Sequence, residues 1–286
     1  MGDKLRNVLI RTLSGAVLLA VVLAAAYISH LTYAALLFVI AVVGMWEFYK
    51  LASATGAKPQ RCVGLMAGVA LLYQSFVLFD SFVGGEGLFA LEGVDFVGIL
   101  AFVLLVAASF VVELFRNVKT PTRNIATTLM ATFYVALPMS LMLFIPLMLA
   151  GGEWRAEAFL FYLFIVWAND VFAFLIGITC GRHRLCERIS PKKSWEGFFG
   201  GVTGAMAMGA VGAAVVGGGY ALWLGLAAVV AITSVLGDLV ESMFKREAEV
   251  KDSGNILPGH GGMLDRFDAL LLSSPAAFVY LIIMIL

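Results

Sequence analysis

The densest run of reactive side chains begins at Gly237-Asp238-Leu239-Val240-Glu241-Ser242-Met243-Phe244-Lys245-Arg246. It continues through Lys251-Asp252-Ser253-Gly254 and ends at Pro258-Gly259-His260-Gly261-Gly262-Met263-Leu264-Asp265-Arg266-Phe267-Asp268. On a helix, Asp238 and Glu241 are three apart and share a face, and so do Asp265 and Asp268 on the next helix. Two helix ends facing each other thus offer several carboxylate oxygens to one hard cation. Magnesium suits that arrangement, being held by one or two carboxylates plus phosphates rather than by a full protein cage. The glycines around His260 let backbone amides approach an anion, and the following helix start adds the positive end of its dipole. Lys245, Arg246, Lys251 and Arg266 supply compensating charge. Carboxylates for a metal, cations for phosphates and a glycine-rich turn at a helix start are the equipment of phosphoryl or nucleotidyl transfer. A plain interfacial loop would explain any one of the cations as topology charge, but it has no need of so many acids.

A second group lies upstream. Asp170, beside Asn169, falls near the middle of an apolar run, where a charge costs at least about 2.5–3.5 kcal/mol, so it is a functional candidate by default. The alternative is a structural carboxyl held between helices. Beyond it come Gly177, Gly181-Arg182-His183-Arg184 and Ser190-Pro191-Lys192-Lys193-Ser194-Trp195-Glu196-Gly197. The cations of this stretch suit a polyanionic ligand at a membrane surface. They also obey the rule that cytoplasmic loops collect Lys and Arg, and charge alone does not separate the two readings.

The elements that must position these groups are membrane spans. The chain has 286 residues, 62% of them hydrophobic and 13% charged, with a mean hydropathy of +0.98. An ordinary soluble domain is excluded, because such chains carry about 25% charge. A nucleic-acid binder is excluded too, since 19 Lys plus Arg against 19 Asp plus Glu leave no net charge to neutralise a phosphate backbone. Cys62, Cys180 and Cys186 are too few and scattered for a disulfide framework or a zinc site, and read as small apolar fillers. A bilayer core about 30 Å thick needs about 20 apolar residues per helix. Such runs lie at 11–29, 31–49, 62–79, 94–112, 126–149, 158–180, 197–218, 220–241 and 268–286. They are continuous rather than alternating, which argues for helices over a barrel. The expectation is an all-α, polytopic membrane protein with about nine transmembrane helices.

Orientation follows from the cations. Lys4, Arg6 and Arg11, then Lys50, Lys58 and Arg61, then Arg116, Lys119 and Arg123, and those of 181–196 and 242–267 all fall on one side. Arg155 stands alone on the other. This pattern expects a cytoplasmic N-terminus, an outer C-terminus and both polar loops in the cytoplasm. The start of the chain, basic then apolar then Ala24-Ala25-Ala26, is also compatible with a cleaved signal peptide. Its apolar run exceeds the usual 7–15 residues, and we read it as a first span. Residues 1–150, about five spans with little polar chemistry, read as scaffold. Residues 151–286, with loops 181–196 and 242–267, read as the catalytic region. Gly197, Gly200, Gly201, Gly204, Gly209 and Gly212 offer small-xxx-small faces for close helix packing, within the monomer or in a homodimer.

The stretch from Ser242 to Asp268, read as S-x-F-K-R-x4-K-D-x-G-x2-L-P-x-H-G-G-M-x-D-R-F-D, resembles the signature of the phosphatidate cytidylyltransferases, also called CDP-diacylglycerol synthases. Ser-Pro-Lys-Lys-Ser-Trp-Glu-Gly at 190–197 and the Asp170, Ala173, Phe174 group are similar to that family as well. Its members commonly have tyrosine where Phe174 stands, so no hydroxyl role is carried over there. These motifs cover about the last 120 residues, and a pattern with this many fixed positions is highly specific.

The resemblance implies transfer of CMP from CTP to phosphatidic acid, giving CDP-diacylglycerol and pyrophosphate at the cytoplasmic face of the cell's inner membrane, with a divalent cation. The metal would be Mg2+, or Mn2+, with a monovalent cation as a further expectation. It implies Asp238 and Asp265 as metal ligands, with Asp268 as a further candidate. Asp238, Asp265, Lys245, Arg246 and His260 are the expected catalytic set. Lys192, Lys193, Ser194, Ser242, Lys251, Asp252, Gly261, Gly262, Arg266 and Asp170 are the expected substrate-binding set. His260 would donate to a phosphate or act as a structural pivot. Two other readings stay open: a CTP-dependent polyprenol or phytol kinase, which would release CDP, and a transporter using Asp170 and the glycine-rich span. A CDP-alcohol phosphotransferase is disfavoured, because its D-x2-D-G-x2-A-R pattern is absent.

Overall fold

The structure is a computed structural model, and it describes residues 3–86 and 92–286. The side chains of Lys4 and Arg6, counted among the N-terminal cations, lie outside the described set. Among the described residues nine helices are long and apolar enough to cross a membrane. We label them α1 (Asp3–Ile28), α2 (His30–Ala54), α3 (Arg61–Val83), α4 (Val97–Arg116), α5 (Pro121–Leu149), α6 (Ala156–Cys180), α7 (Trp195–Val216), α8 (Tyr220–Glu247) and α9 (Leu264–Ile285). Local chemistry sets their ends. Ser29 and Thr32 form a reciprocal capping box that starts α2 one residue after α1 stops. Within α5, a π-helical turn at Thr132–Ala136 precedes Pro138 and Pro146.

Two helices run beyond the apolar stretches that announce them. α8 continues through Lys245 and Arg246, whose charges suit the negative end of its dipole, to Glu247. α9 begins at Leu264, so Asp265, Arg266 and Asp268 are helical and Asp265 sits in the first turn. The polar connection expected at 242–267 is therefore shorter. The fold also departs from all-α: the 181–196 connection contains a two-stranded antiparallel ribbon, β1 (Arg184–Cys186) and β2 (Ser190–Ser194), with Arg184 opposite Ser194 and Cys186 opposite Ser190. The three cysteines are free thiols, but Cys62 and Cys180 are exposed rather than filling a core.

The chain divides into two compact units. The first comprises Met1–Leu143 and Phe244–Phe267. Its interior holds Tyr33, Leu37, Met45 and Tyr49 of α2, Leu72 and Phe79 of α3, and Met139 of α5. The two tyrosines keep their hydroxyls satisfied, Tyr33 donating to the Met142 carbonyl at 2.6 Å and Tyr49 to that of Thr128 at 2.8 Å. Helix α4 turns Leu104, Leu114 and Phe115 outward, a display that suits lipid rather than water.

The second unit comprises Phe144–Met243 and Asp268–Leu286. Its interior is built on α6 and α7. The α7 glycines expected to mediate close packing lie directly on α6 and α8: Gly201 on Asn169 and Ala173, Gly204 on Phe172, and Gly212 on Trp223. These faces are occupied within the chain. Asn169 donates to Ser234 at 3.1 Å, and the Tyr162 and Ser273 hydroxyls meet at 2.9 Å, tying α6 to α8 and α9.

Candidate functional site

In the second unit, Asp238, Glu241 and Asp268 each present a carboxylate oxygen, all within 4.8 Å of one another. Helical spacing puts Asp238 and Glu241 on one face of α8, and a glycine lets α9 come close. A Cβ at position 237 would stand 2.6 Å from the Asp268 carbonyl oxygen, so Gly237 allows backbone contact beside both aspartates. Glu241 is fully buried, and the Asp238 side chain is 40% exposed. Three hard oxygen donors at this separation suit a divalent cation such as magnesium. Lys193, from the ribbon, pairs with Asp238 at 2.6 Å, and its ammonium also reaches the Val235 carbonyl at 3.3 Å. Ser242, one turn on, donates to Asp238 at 3.2 Å.

A cavity of about 650 Å³ adjoins this corner of the second unit. Asp170, Lys192, Lys193, Ser194 and Asp238 supply its polar wall, and Ala173, Phe174, Ile178 and Phe198 its apolar wall. Such a volume is ordinary for a small-molecule site. Asp170, mid-helix in α6, is exposed onto this space rather than buried between helices. Lys192 is exposed and Ser194 is buried. The Ser194 hydroxyl caps α7, accepting from the Gly197 amide at 3.1 Å. The neighbouring Glu196 carboxylate clasps the turn before the ribbon, accepting from the His183 ring at 2.6 Å and from the Arg182 amide at 3.0 Å.

Asp265 belongs to the first unit and has different company. One oxygen accepts from the Lys245 ammonium at 2.8 Å. The other accepts from the Ser253 amide and hydroxyl, each at 2.9 Å, and from the Gly262 amide at 2.8 Å. Both partners of the ion pair are largely buried, with side chains 14% and 4% exposed. Gly261 adopts φ +87°, which turns the chain so that its neighbour's amide points at Asp265. His260 sits in this turn. Burial, and then the Arg266 and Arg11 guanidiniums, push its imidazole below the usual histidine range. Arg266 donates to the His260 carbonyl at 2.8 Å. Arg246, Lys251 and Asp252 are exposed at the end of α8 and in the connection that follows.

Sequence reasoning passed over Glu47. It lies in α2, 1% exposed, and its carboxylate accepts from the Leu264 amide at 2.8 Å and from the Ser253 hydroxyl at 3.5 Å. It thereby caps α9, where a negative charge is favoured. The available signal was a lone acid inside an apolar run, the same signal that drew attention to Asp170. Glu113, buried near the end of α4, is a second such acid. It accepts from Gln60, Asn124 and Arg116 and ties three helices of the first unit together.

The curated phosphatidate cytidylyltransferase of Staphylococcus epidermidis is 44% identical over 135 residues, which cover 46% of this chain and 52% of the relative. That of Rickettsia bellii is 35% identical over 167 residues, 54% of this chain and 69% of the relative. That of Mycobacterium tuberculosis is 37% identical over 161 residues, 55% of this chain and 48% of the relative. The chain thus spans about half the length of the Staphylococcus and Mycobacterium relatives. The sequence profile of the cytidylyltransferase family matches residues 9–284, almost the whole chain. On that match, the chain belongs to the cytidylyltransferase family.

Proposed function

We propose that this protein is a membrane-embedded CTP:phosphatidate cytidylyltransferase, forming CDP-diacylglycerol and pyrophosphate. The observation that carries the reading is the meeting of Asp238, Glu241 and Asp268 oxygens within 4.8 Å, beside Lys193 and a half-apolar cavity, in a chain of this family. The hard donor set fits Mg2+, with Mn2+ as an alternative, and a bound metal would supply charge neutralisation for the phosphates. Asp238, Glu241 and Asp268 would hold it, and Asp170 is available for a monovalent cation.

The chain's own residues would act chiefly by electrostatics and placement. The phosphatidate monoester is ionised near neutral pH, with a second pKa of about 6 by analogy with other phosphomonoesters, so its attack on the α-phosphorus of CTP needs little or no general base. What it needs is relief of repulsion between two anions and stabilisation of the leaving pyrophosphate. Lys192 and Lys193 would contact phosphate oxygens from the ribbon. The Lys245, Arg246, Lys251 and Arg266 cations remain the proposed partners of triphosphate or phosphatidate oxygens. Phe174, Ile178 and Phe198 give the cavity a wall that suits acyl or glycerol carbons. The cation asymmetry supports a cytoplasmic site in a bacterial inner membrane, with the N-terminus inside and the C-terminus outside.

Purified protein in phosphatidate-containing micelles, supplied with CTP and magnesium, is expected to release pyrophosphate and form a liponucleotide. Release of CDP instead would favour the lipid-kinase reading. Substrate flux into liposomes without CTP would favour a transporter.

A further inference from the structure

Helix α1 carries no chemistry at first sight. From Leu9 onward most of its residues face outward, and its less exposed ones are Ile10, Ser14, Gly15, Leu18, Val22, Leu23, Ala25 and Ala26, spaced along one helix face. Ser14 is the polar side chain on that face. Its hydroxyl oxygen lies 2.6 Å from His260 Nδ1, 2.9 Å from the Pro258 carbonyl oxygen and 3.1 Å from the Arg11 carbonyl oxygen.

Counting protons favours one arrangement of these contacts. A serine hydroxyl has one proton and two acceptor sites, and a carbonyl can only accept. With the Pro258 carbonyl 2.9 Å away, the hydroxyl proton is well spent there, and the short contact to the imidazole is then donated by the ring. A ring without a proton on Nδ1 would face the oxygen lone pair to lone pair, or take the proton from both carbonyls. In that arrangement the neutral ring carries its proton on Nδ1 and a bare Nε2. Burial and two nearby guanidiniums favour that neutral form.

The backbone is fitted to the same contact. A Cβ on Gly15 would sit 3.3 Å from His260 Cε1, so the absent side chain makes room for the ring. Gly259, at φ +75°, lies so near α1 that a Cβ there would be 2.9 Å from Arg11 Cγ. The main chain of His260 is pinned as well, its amide donating to the Leu257 carbonyl at 2.9 Å and its carbonyl accepting from Arg266. Two residues on, the Gly262 amide binds Asp265.

We propose that Ser14 is a positioning residue for the glycine turn: it locks the His260 imidazole as the Nδ1–H tautomer and so holds the backbone that presents Gly262 to Asp265. The proposal rests on the cytidylyltransferase reading only for its activity readout. The tautomer readout is independent of it.

The test uses full-length protein labelled with 15N-histidine in micelles. The chain has three histidines, and His260→Asn assigns the signal of interest. In the wild type, His260 is expected to show a protonated Nδ1 and an unprotonated Nε2, and in Ser14→Ala a shift toward the Nε2–H tautomer. The same variant is expected to lower kcat for pyrophosphate release about fivefold to tenfold, the scale of one lost hydrogen bond, with KM for CTP little changed. Ser14→Thr keeps the hydroxyl and should restore both signals. Leu13→Ala, on the outward face and 65% exposed in the native protein, should change neither. An Nε2–H tautomer in the wild type, or a Ser14→Ala protein with unaltered tautomer and turnover, overturns the proposal. If the wild type itself releases no pyrophosphate, the activity reading fails and the imidazole signature alone decides the role of Ser14.

Discussion

Asp265 and Asp268 stand three residues apart on α9, yet they keep opposite company. Asp265 is enclosed by donors: one ammonium, two amides and a hydroxyl converge on its two oxygens. Asp268 accepts from the Ala269 amide at 2.8 Å and has carboxylates for neighbours, one of its oxygens lying within 4.8 Å of those of Asp238 and Glu241. The first arrangement neutralises a buried charge and fixes the turn before the helix. The second concentrates negative charge, which Lys193 offsets at Asp238 and which a divalent cation would offset further. Helical spacing makes the two aspartates look equivalent, and their surroundings set them apart.

The largest effect should come from the acceptor cluster. Asp238→Asn or Asp268→Asn is expected to lower pyrophosphate release by about 10²–10³-fold, to abolish Mn2+ binding followed by electron paramagnetic resonance, and to leave the melting temperature near that of the native protein. If either variant melted far below the native protein while still binding Mn2+, the two aspartates would have exchanged roles.

Asp265→Asn probes the other side. Removing one partner of a buried ion pair costs about 3–5 kcal/mol, and here Lys245 loses the carboxylate it meets at 2.8 Å. The variant should therefore melt well below the native protein, and the Asp265→Asn/Lys245→Met double variant should recover most of that loss. Mn2+ binding should survive in the double variant. A normal melting temperature combined with lost Mn2+ binding would make Asp265 a ligand and dissolve the contrast.

Lys193 tests whether the acceptor cluster is tuned from the ribbon. Its ammonium meets Asp238 at 2.6 Å and is partly exposed. Lys193→Met is expected to reduce kcat/KM about 10–100-fold, the scale of one or two charge-assisted hydrogen bonds to phosphate, with Mn2+ affinity unchanged or raised. Weakened Mn2+ binding would mean that Lys193 organises the carboxylates rather than contacting substrate.

Much of this was legible in the residues. Run length and continuity pointed to nine membrane-length helices, because a span must satisfy its backbone internally over about 20 apolar residues. The ends of α8 and α9 were harder to read, since charged residues such as Lys245 and Asp265 prolong a helix where hydropathy has already stopped. The ribbon was hidden because Ser190-Pro191-Lys192-Lys193 has no strand propensity and forms only as the link between α6 and the cap of α7. Spacing could group Asp238 with Glu241 and Asp265 with Asp268. It could not say that Lys245, Ser253 and Gly262 would converge on Asp265, which depends on the fold of the 248–263 connection. Glu47 and Ser14 were passed over because their partners lie more than 200 residues away.

Glu47 gives the smallest and sharpest check on the anchor side. Its carboxylate caps α9 at the Leu264 amide and touches the Ser253 hydroxyl, which also serves Asp265. Glu47→Gln keeps an acceptor oxygen but loses the charge at the helix start, so the expected cost is about 1 kcal/mol or less. Glu47→Ala also removes the acceptor and leaves a buried amide unsatisfied, which raises the cost to about 1–3 kcal/mol. Thermal melting should rank native, Gln and Ala in that order, while Mn2+ affinity stays constant across the three. A fall in Mn2+ affinity that tracked the melting temperatures would mean that metal binding depends on the donor cage around Asp265, and that anchor and ligand are not separable functions of α9.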